Sequence, residues 1–279
     1  MFVQATELQK VKRRFRNVRA TRRNTELEGT RSTAATRADQ NDYARGKITA
    51  AELGERVRRR YNIQYRGGVP HPWDTGDHER NWQGYFIPAM SVLRNRVGAR
   101  THAELRDAEN DLVEARVIEL REDPNLLGDR TDLAYLRAIH RQLFQDIYVW
   151  AGDLRTVGIE KEDESFCAPG GISRPMEHVA AEIYQLDRLR AVGEGDLAGQ
   201  VAYRYDYVNY AHPFREGNGR STREFFDLLL SERGSGLDWG KTDLEELHGA
   251  CHVARANSDL TGLVAMFKGI LDAEPTYDF

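Results

Sequence analysis

The sequence predicts an all-α protein with one small β-hairpin, built as a three-helix unit followed by a larger helical bundle. Three observations carry that reading. Apolar residues recur at three- and four-residue steps in most long segments instead of alternating. Gly, Ser, Thr and Asp punctuate those segments where helix ends belong. Charge also divides the chain: residues 1–66 hold 17 Lys+Arg against 7 Asp+Glu, net +10, and residues 67–279 hold 23 against 37, net −14. The junction is expected at Gly67-Gly68-Val69-Pro70, where Gly and Pro break the helical pattern. The predicted units are therefore 1–66 and 67–279.

In the first unit, Leu8, Val11, Phe15 and Val18 form one narrow apolar stripe, and Gly29 stands where a C′ residue ends a helix. A second helix is expected over 33–45, closed at Gly46. A third opens at Thr49, which forms a capping box with Glu52 before Leu53 and Val57. So few large apolar residues make a marginal core, so these helices are expected to lie against the acidic unit. Glu28 is an acid at the end of the first helix, where the macrodipole disfavours negative charge. Either it meets a cation elsewhere or it is a surface acid beside Arg22 or Arg31.

In the second unit, Leu133, Leu136, Ile139, Leu143 and Ile147 predict a helix over 132–150 ending at Gly152. Residues 154–159 and 165–168 are β-like runs around the acidic turn 160–164, a hairpin signal. Further helices are expected over 174–189, 195–210, 220–230, 243–256 and 259–271. With 279 residues and 40% hydrophobic content, the chain can bury one sizeable core plus a small second unit. Cys167 and Cys251 imply no disulfide framework, no apolar run approaches the ~20 residues of a membrane span, and no signal-like segment follows Met1. The reading is a soluble cytoplasmic protein.

Residues 212–223 read His-Pro-Phe-Arg-Glu-Gly-Asn-Gly-Arg-Ser-Thr-Arg and concentrate the chemistry. A neutral imidazole at His212 suits a general base. Glu216 offers hard oxygens for Mg²⁺. Gly217, Asn218 and Gly219 precede the helix-like segment 220–230, so they sit where a helix N-terminus presents free N–H groups to an anion. Arg220 and Arg223 add fixed positive charge one turn apart. The set suits phosphoryl chemistry.

This ordered pattern, His-x-Phe-x-Glu-Gly-Asn-Gly-Arg-x-x-Arg, resembles the Fic-domain family. So do Leu143-Phe144-Gln145-Asp146, Trp150-Ala151-Gly152-Asp153-Leu154-Arg155 and Ser165-Phe166-Cys167-Ala168-Pro169. The resemblance covers roughly residues 72–274. It implies a Fic fold and transfer of AMP from ATP, with Mg²⁺, to a hydroxyl of a target protein. By position, His212 is the base, Phe214 the loop anchor and Glu216 the Mg²⁺ holder. Gly217, Asn218, Gly219 and Arg220 are the phosphate cradle, and Arg223 meets the γ-phosphate. The related branch that transfers phosphate carries Lys where Gly219 stands. The hairpin resembles the flap that aligns a target segment through backbone groups at Val157, Gly158 and Ile159, the alternative being an ordinary solvated hairpin.

Residues 1–66 resemble the small antitoxins that accompany Fic toxins. Their inhibitory helix carries Ser/Thr-x-x-x-Glu-Gly/Asn, matched here by Asn24, Glu28 and Gly29, with Asn in the first position. The resemblance assigns Glu28 to Arg223 as an inhibitory contact. Family analogy extends to a type II topoisomerase subunit as target. Three rivals stand beside this reading: transfer of another nucleotide or of phosphate, a catalytically silent toxin–antitoxin module, and a regulator whose basic first unit binds DNA. Other patterns carry less. Residues 235–242 nearly spell a P-loop without its first Gly or a preceding strand. His248, Cys251 and His252 lack a second cluster for a metal site. His140 reads as a satisfied helix histidine, and Tyr203, Tyr205, Tyr207 and Tyr210 as helix packing.

Overall fold

The computed structural model describes residues 2–65, 71–127, 131–161, 164–271 and 273–277. Gly67–Pro70, the expected junction, and Glu162 and Asp163 of the expected hairpin turn lie outside the described residues. The first unit is α1 (Phe2–Glu26), α2 (Ala34–Ala44) and α3 (Ala50–Arg60). It is capped as its sequence demands: Thr33 accepts from Thr36 N, and Thr49 and Glu52 form the complete capping box. The remainder holds α4 (His78–Gly84), α5 (His102–Glu122), α6 (Leu133–Phe144), β1 (Glu160–Lys161), β2 (Glu164–Ser165), α7 (Ser173–Gln185), α8 (Glu194–Ala211), α9 (Asn218–Arg233), α10 (Leu244–Asn257) and α11 (Thr261–Ile270). The architecture is all-α with one two-stranded antiparallel hairpin. Among the described residues no helix is long and apolar enough to cross a membrane.

Helix α9 is the axis of the larger unit, with α6, α8 and α1 packed against it. It is buried on every side, polar residues included: Arg223, Glu224 and Asp227 lie in the core beside Phe225, Phe226 and Leu229. Such a helix must pair its charges internally. Arg121 of α5 does so, bonding Glu224 at 2.6 Å and Asp227 at 3.1 Å.

Helix α5 is the partner that the basic unit covers. Its Asp111 accepts from Thr33 N and Thr33 Oγ1, both at 2.7 Å, and Glu114 accepts from Gln40 at 2.6 Å. Glu119 meets Arg58 at 2.9 Å, and Glu122 meets Arg13 at 2.9 Å. Acids of α5 thus meet basic and neutral donors of the first three helices along one seam. Neither α4 nor α5 stands out in the sequence. The apolar period of α5 is broken by Glu109, Asn110, Asp111, Glu114 and Arg121, all buried because both faces of the helix are covered.

Three expectations need correcting. Of the stripe on α1 only Val18 is buried, while Leu8 and Phe15 are exposed. The helix buries Asn17, Thr21, Asn24 and Thr25 instead, because it lies against polar groups of α5 and α9. The helix expected over 132–150 ends at Phe144, where Ile147 N and Tyr148 N both bond Phe144 O and tighten the chain into a turn. The hairpin pairs only Glu160 with Ser165 and Lys161 with Glu164. Residues 154–158 leave the pairing because Arg155 ties their backbone to the core.

Candidate active site

Helix α8 ends at Ala211, and His212 follows in the left-handed region, φ 40°. A β-carbon there is disfavoured, so the loop must be held from outside. Arg155 holds it, donating through Nε to His212 O at 2.8 Å and through Nη1 to Val157 O at 2.7 Å, with Nη2 on Cys167 O. One buried guanidinium therefore joins the base of the hairpin to the histidine loop. Phe214 is wholly buried, its ring stacked on His140 with centroids 3.8 Å apart. His140 donates from Nε2 to Glu216 O at 2.9 Å and accepts from Gly152 N at 2.8 Å, the satisfied histidine expected from sequence. Asn218 closes the loop on itself: its Oδ1 accepts from Phe214 N and its Nδ2 donates to Phe214 O, both at 2.8 Å. The Asn218 side chain is occupied by this clamp, leaving its backbone to face an anion. Gly217, φ 83°, passes so close to Phe144 that a β-carbon would stand 2.2 Å from the ring.

The ring of His212 stacks on Phe166, centroids 3.7 Å apart, and Nδ1 donates to Asn209 O at 3.1 Å. A carbonyl can only accept, so Nδ1 carries the proton and Nε2 keeps its lone pair. Burial pushes the imidazole down to about 3, and the charge of Arg155 adds to this. His140 is pushed to the same level by burial. Both are neutral when folded, whereas the unfolded chain takes up protons below ~6.5, so stability falls as pH drops through that value. A lower melting temperature at pH 5 than at pH 7 is expected from calorimetry.

From α9, the two arginines diverge. Arg220 runs to Glu109 of α5, which also accepts from Tyr148, and its guanidinium carbon lies 4.9 Å from the Phe144 ring centroid. Arg223 runs to the N-terminal unit. Its Nε donates to Asn24 Oδ1 at 2.6 Å, and Nη2 donates to Asn24 O at 3.0 Å and to Glu28 Oε1. Asn24 Nδ2 donates in turn to Glu224 Oε1 at 2.7 Å, and the Tyr277 hydroxyl reaches the other Glu224 oxygen at 2.6 Å. An amide thus grips Arg223 with its oxygen and Glu224 with its nitrogen. Glu28 sits in the turn after α1, closed by Gly29 at φ 72°. Its carboxylate lies over the first turn of α9, where a β-carbon on Gly219 would meet it at 2.4 Å. Burial favours its neutral form, yet Arg223 and then Arg220 outweigh that and hold it below the ordinary carboxylate range.

These groups open onto one cavity of about 570 Å³. His212, Glu216, Asn218, Gly219, Arg223 and Glu28 line it together.

Residues 130–230 match the Fic/DOC family and residues 14–60 match Antitoxin VbhA. The chain is 31% identical over 187 residues to "Probable protein adenylyltransferase Fic" of Escherichia coli K12, covering 67% of this chain and 91% of that one. The chain belongs to the Fic/DOC family. Its Fic region is also similar to protein adenylyltransferase VbhT of Bartonella schoenbuchensis, 30% identical over 63% of this chain and 37% of that protein. Among solved structures, the Bartonella tribocorum effector BepC with bound AMPPNP superposes with a TM-score of 0.61 at 24% identity, covering 68% of this chain and 96% of that one.

In this Fic domain the hairpin borders the cavity through Ile159, Glu160, Lys161 and Phe166. Val157 is buried, Gly158 N donates to His78 Nε2 at 3.3 Å, and Ile159 O accepts from Phe166 N at 3.2 Å. The far wall is α10: Leu247, His248 and Cys251 line the cavity, and Lys161 Nζ lies 3.0 Å from His248 Nδ1, linking hairpin to wall. Sequence reasoning set His248 and Cys251 aside for want of a metal cluster and assigned no role to Trp82, Glu109 or Arg215. The N-cap at Asp77 and the capping box at Thr101 and Glu104 were the signals for the helices that bring Trp82 and Glu109 here. For α10 no local signal places one helix across a cavity from another 35 residues away.

Proposed function

We propose that this chain is a protein adenylyltransferase that moves AMP from ATP to a hydroxyl side chain of a target protein, with residues 67–279 as the enzyme and residues 1–66 holding it inactive. The observation that carries the reading is a neutral His212 sharing one cavity with the first turn of α9, while Arg223 is taken by Glu28 and Asn24. His212 Nε2 accepts the proton of the incoming hydroxyl, whose oxygen bonds the α-phosphorus as the bond to the pyrophosphate oxygen breaks. The first-turn N–H groups of α9 face the phosphates. Arg223 would receive the γ-phosphate, and the Glu28 carboxylate occupies that place. The names of the relatives and the AMPPNP in BepC support this choice of donor.

Glu216 fits a Mg²⁺ ion. One carboxylate oxygen accepts from Gly217 N at 3.0 Å, the side chain is half-buried at the cavity wall, and this partial desolvation together with the nearby Glu109 charge raises its pKa. A cation would relieve that repulsion. Among the described residues no cluster of three His, Cys, Asp or Glu side chains gathers. One carboxylate is enough for Mg²⁺, which takes phosphate oxygens and water as its other ligands and would neutralise phosphate charge.

The basic first unit offers little to DNA, because Arg13, Arg16, Arg37, Arg58 and Arg60 are paired with carboxylates within the chain. The test is label transfer. With the Glu28→Gly chain and α-labelled ATP, but not γ-labelled ATP, protein becomes labelled and gains the mass of AMP. Transfer of the γ-label instead would replace adenylylation by phosphorylation.

A further inference from the structure

Arg215 stands between the loop anchor Phe214 and Glu216, at a position the motif leaves open. Its guanidinium carbon lies 4.6 Å from the Trp82 ring centroid, 5.4 Å from that of Phe86 and 5.8 Å from that of Tyr85. Every other arginine of the site is engaged: Arg155 with backbone carbonyls, Arg220 with Glu109, Arg223 with Glu28. Among the described residues Arg215 has no carboxylate within ion-pair distance and no hydrogen-bond acceptor, and its Nε is buried without a partner. It lines the main cavity and a recess of about 380 Å³ that shares Glu28, Arg215 and Glu216 with it.

A cation kept largely from water is normally matched by an anion. Three aromatic faces hold this one in place and compensate part of its lost hydration, but they leave its hydrogen-bonding fork unused. The cage also fixes its direction at no further entropic cost when a ligand arrives. Helix α4, which supplies Trp82, borders the hairpin through the bond between Gly158 and His78. Arg215 therefore belongs to the hairpin end of the cavity. Gly219 and Arg223, on the first turns of α9, are where the proposed reaction needs the polyphosphate.

We propose that Arg215 is a specificity-determining residue that binds the carboxylate of an Asp or Glu a few positions from the acceptor hydroxyl of the target. The inference rests on the AMP-transfer reading above. An Arg–carboxylate fork is bidentate and directional, so it selects an acid against its amide isostere.

The experiment uses the full chain carrying Glu28→Gly, α-labelled ATP and three pools of synthetic peptides. Each peptide has a central Tyr, Ser or Thr, flanked on both sides by Asp in one pool, Asn in the second and Lys in the third. The Asp pool is expected to be labelled with a kcat/KM at least about fivefold above the Asn pool. Adding Arg215→Ala removes that preference by raising the KM for peptide with the KM for ATP unchanged. Arg215→Lys retains part of it, and Arg215→Glu shifts labelling towards the Lys pool. Melting curves establish that each variant is folded. Labelling of the Asp pool no higher than the Asn pool overturns the proposal. So does a raised KM for ATP in Arg215→Ala with the Asp preference intact, which assigns Arg215 to the nucleotide. The transfer reading fails separately, by absence of label from peptides, lysate proteins and the chain itself alike.

Discussion

Glu28→Gly is expected to raise the initial rate of AMP incorporation from α-labelled ATP by roughly 10- to 100-fold over the intact chain. The substitution removes one charge-assisted hydrogen bond to Arg223, an interaction of about 1.5–3 kcal/mol, and each 1.4 kcal/mol changes an occupancy about tenfold. It also clears the space above Gly219 that the carboxylate fills. The rest of the N-terminal unit should stay docked, because its seam with α5 does not pass through Glu28. The sign against pH follows from the depressed pKa of Glu28. The contact is intact above the ordinary carboxylate range and is lost only as pH falls through the lower, folded value, so the proposed inhibition should persist at neutral pH. An unchanged rate in Glu28→Gly would sink the inhibitory assignment, whatever the enzyme proves to do.

Adding His212→Ala to the released chain should lower that rate about 10²- to 10⁴-fold, the usual worth of a positioned general base. ATP binding, followed by calorimetry, should change little. The His212 side chain touches Phe166 and Asn209, and the loop is held by other groups, Arg155, His140 and Asn218. Loss of transfer together with loss of ATP affinity would instead mark His212 as part of the nucleotide's footprint.

The capping box at Thr49 and Glu52, the Gly29 and Gly46 helix ends and the local order of the 212–223 segment were legible because each is written within a few consecutive residues. Glu28 was legible for a different reason: a carboxylate at a helix C-terminus left a distant cation or a surface role open, and the resemblance of residues 1–66 to Fic antitoxins assigned it to Arg223. What escaped was set by contacts between remote segments. Helix α5 hides its period because it is buried on both faces and meets a basic unit with acids. The Leu8–Val18 stripe misleads because α1 docks through the Asn17 carbonyl, which accepts from Arg121, and the Asn24 amide, which donates to Glu224, partners about 100 and 200 residues downstream. The role of Asn24 required its two bonds to be seen together. A hydroxyl in its place could accept from Arg223 and donate one proton, whereas the amide nitrogen has two, directed at Glu224 Oε1 and Arg220 O.

The seam between the two units has a consequence in mass action. On the proposed reading, inhibitor and active site belong to one molecule, so their encounter is unimolecular, at a local concentration on the order of millimolar. Dilution would then leave the silenced fraction unchanged, even for a contact of modest intrinsic affinity. A single cut between α3 and α4 would change the order of the reaction: the fragment would be held by its own dissociation constant, and activity would begin to depend on how much of the protein is present.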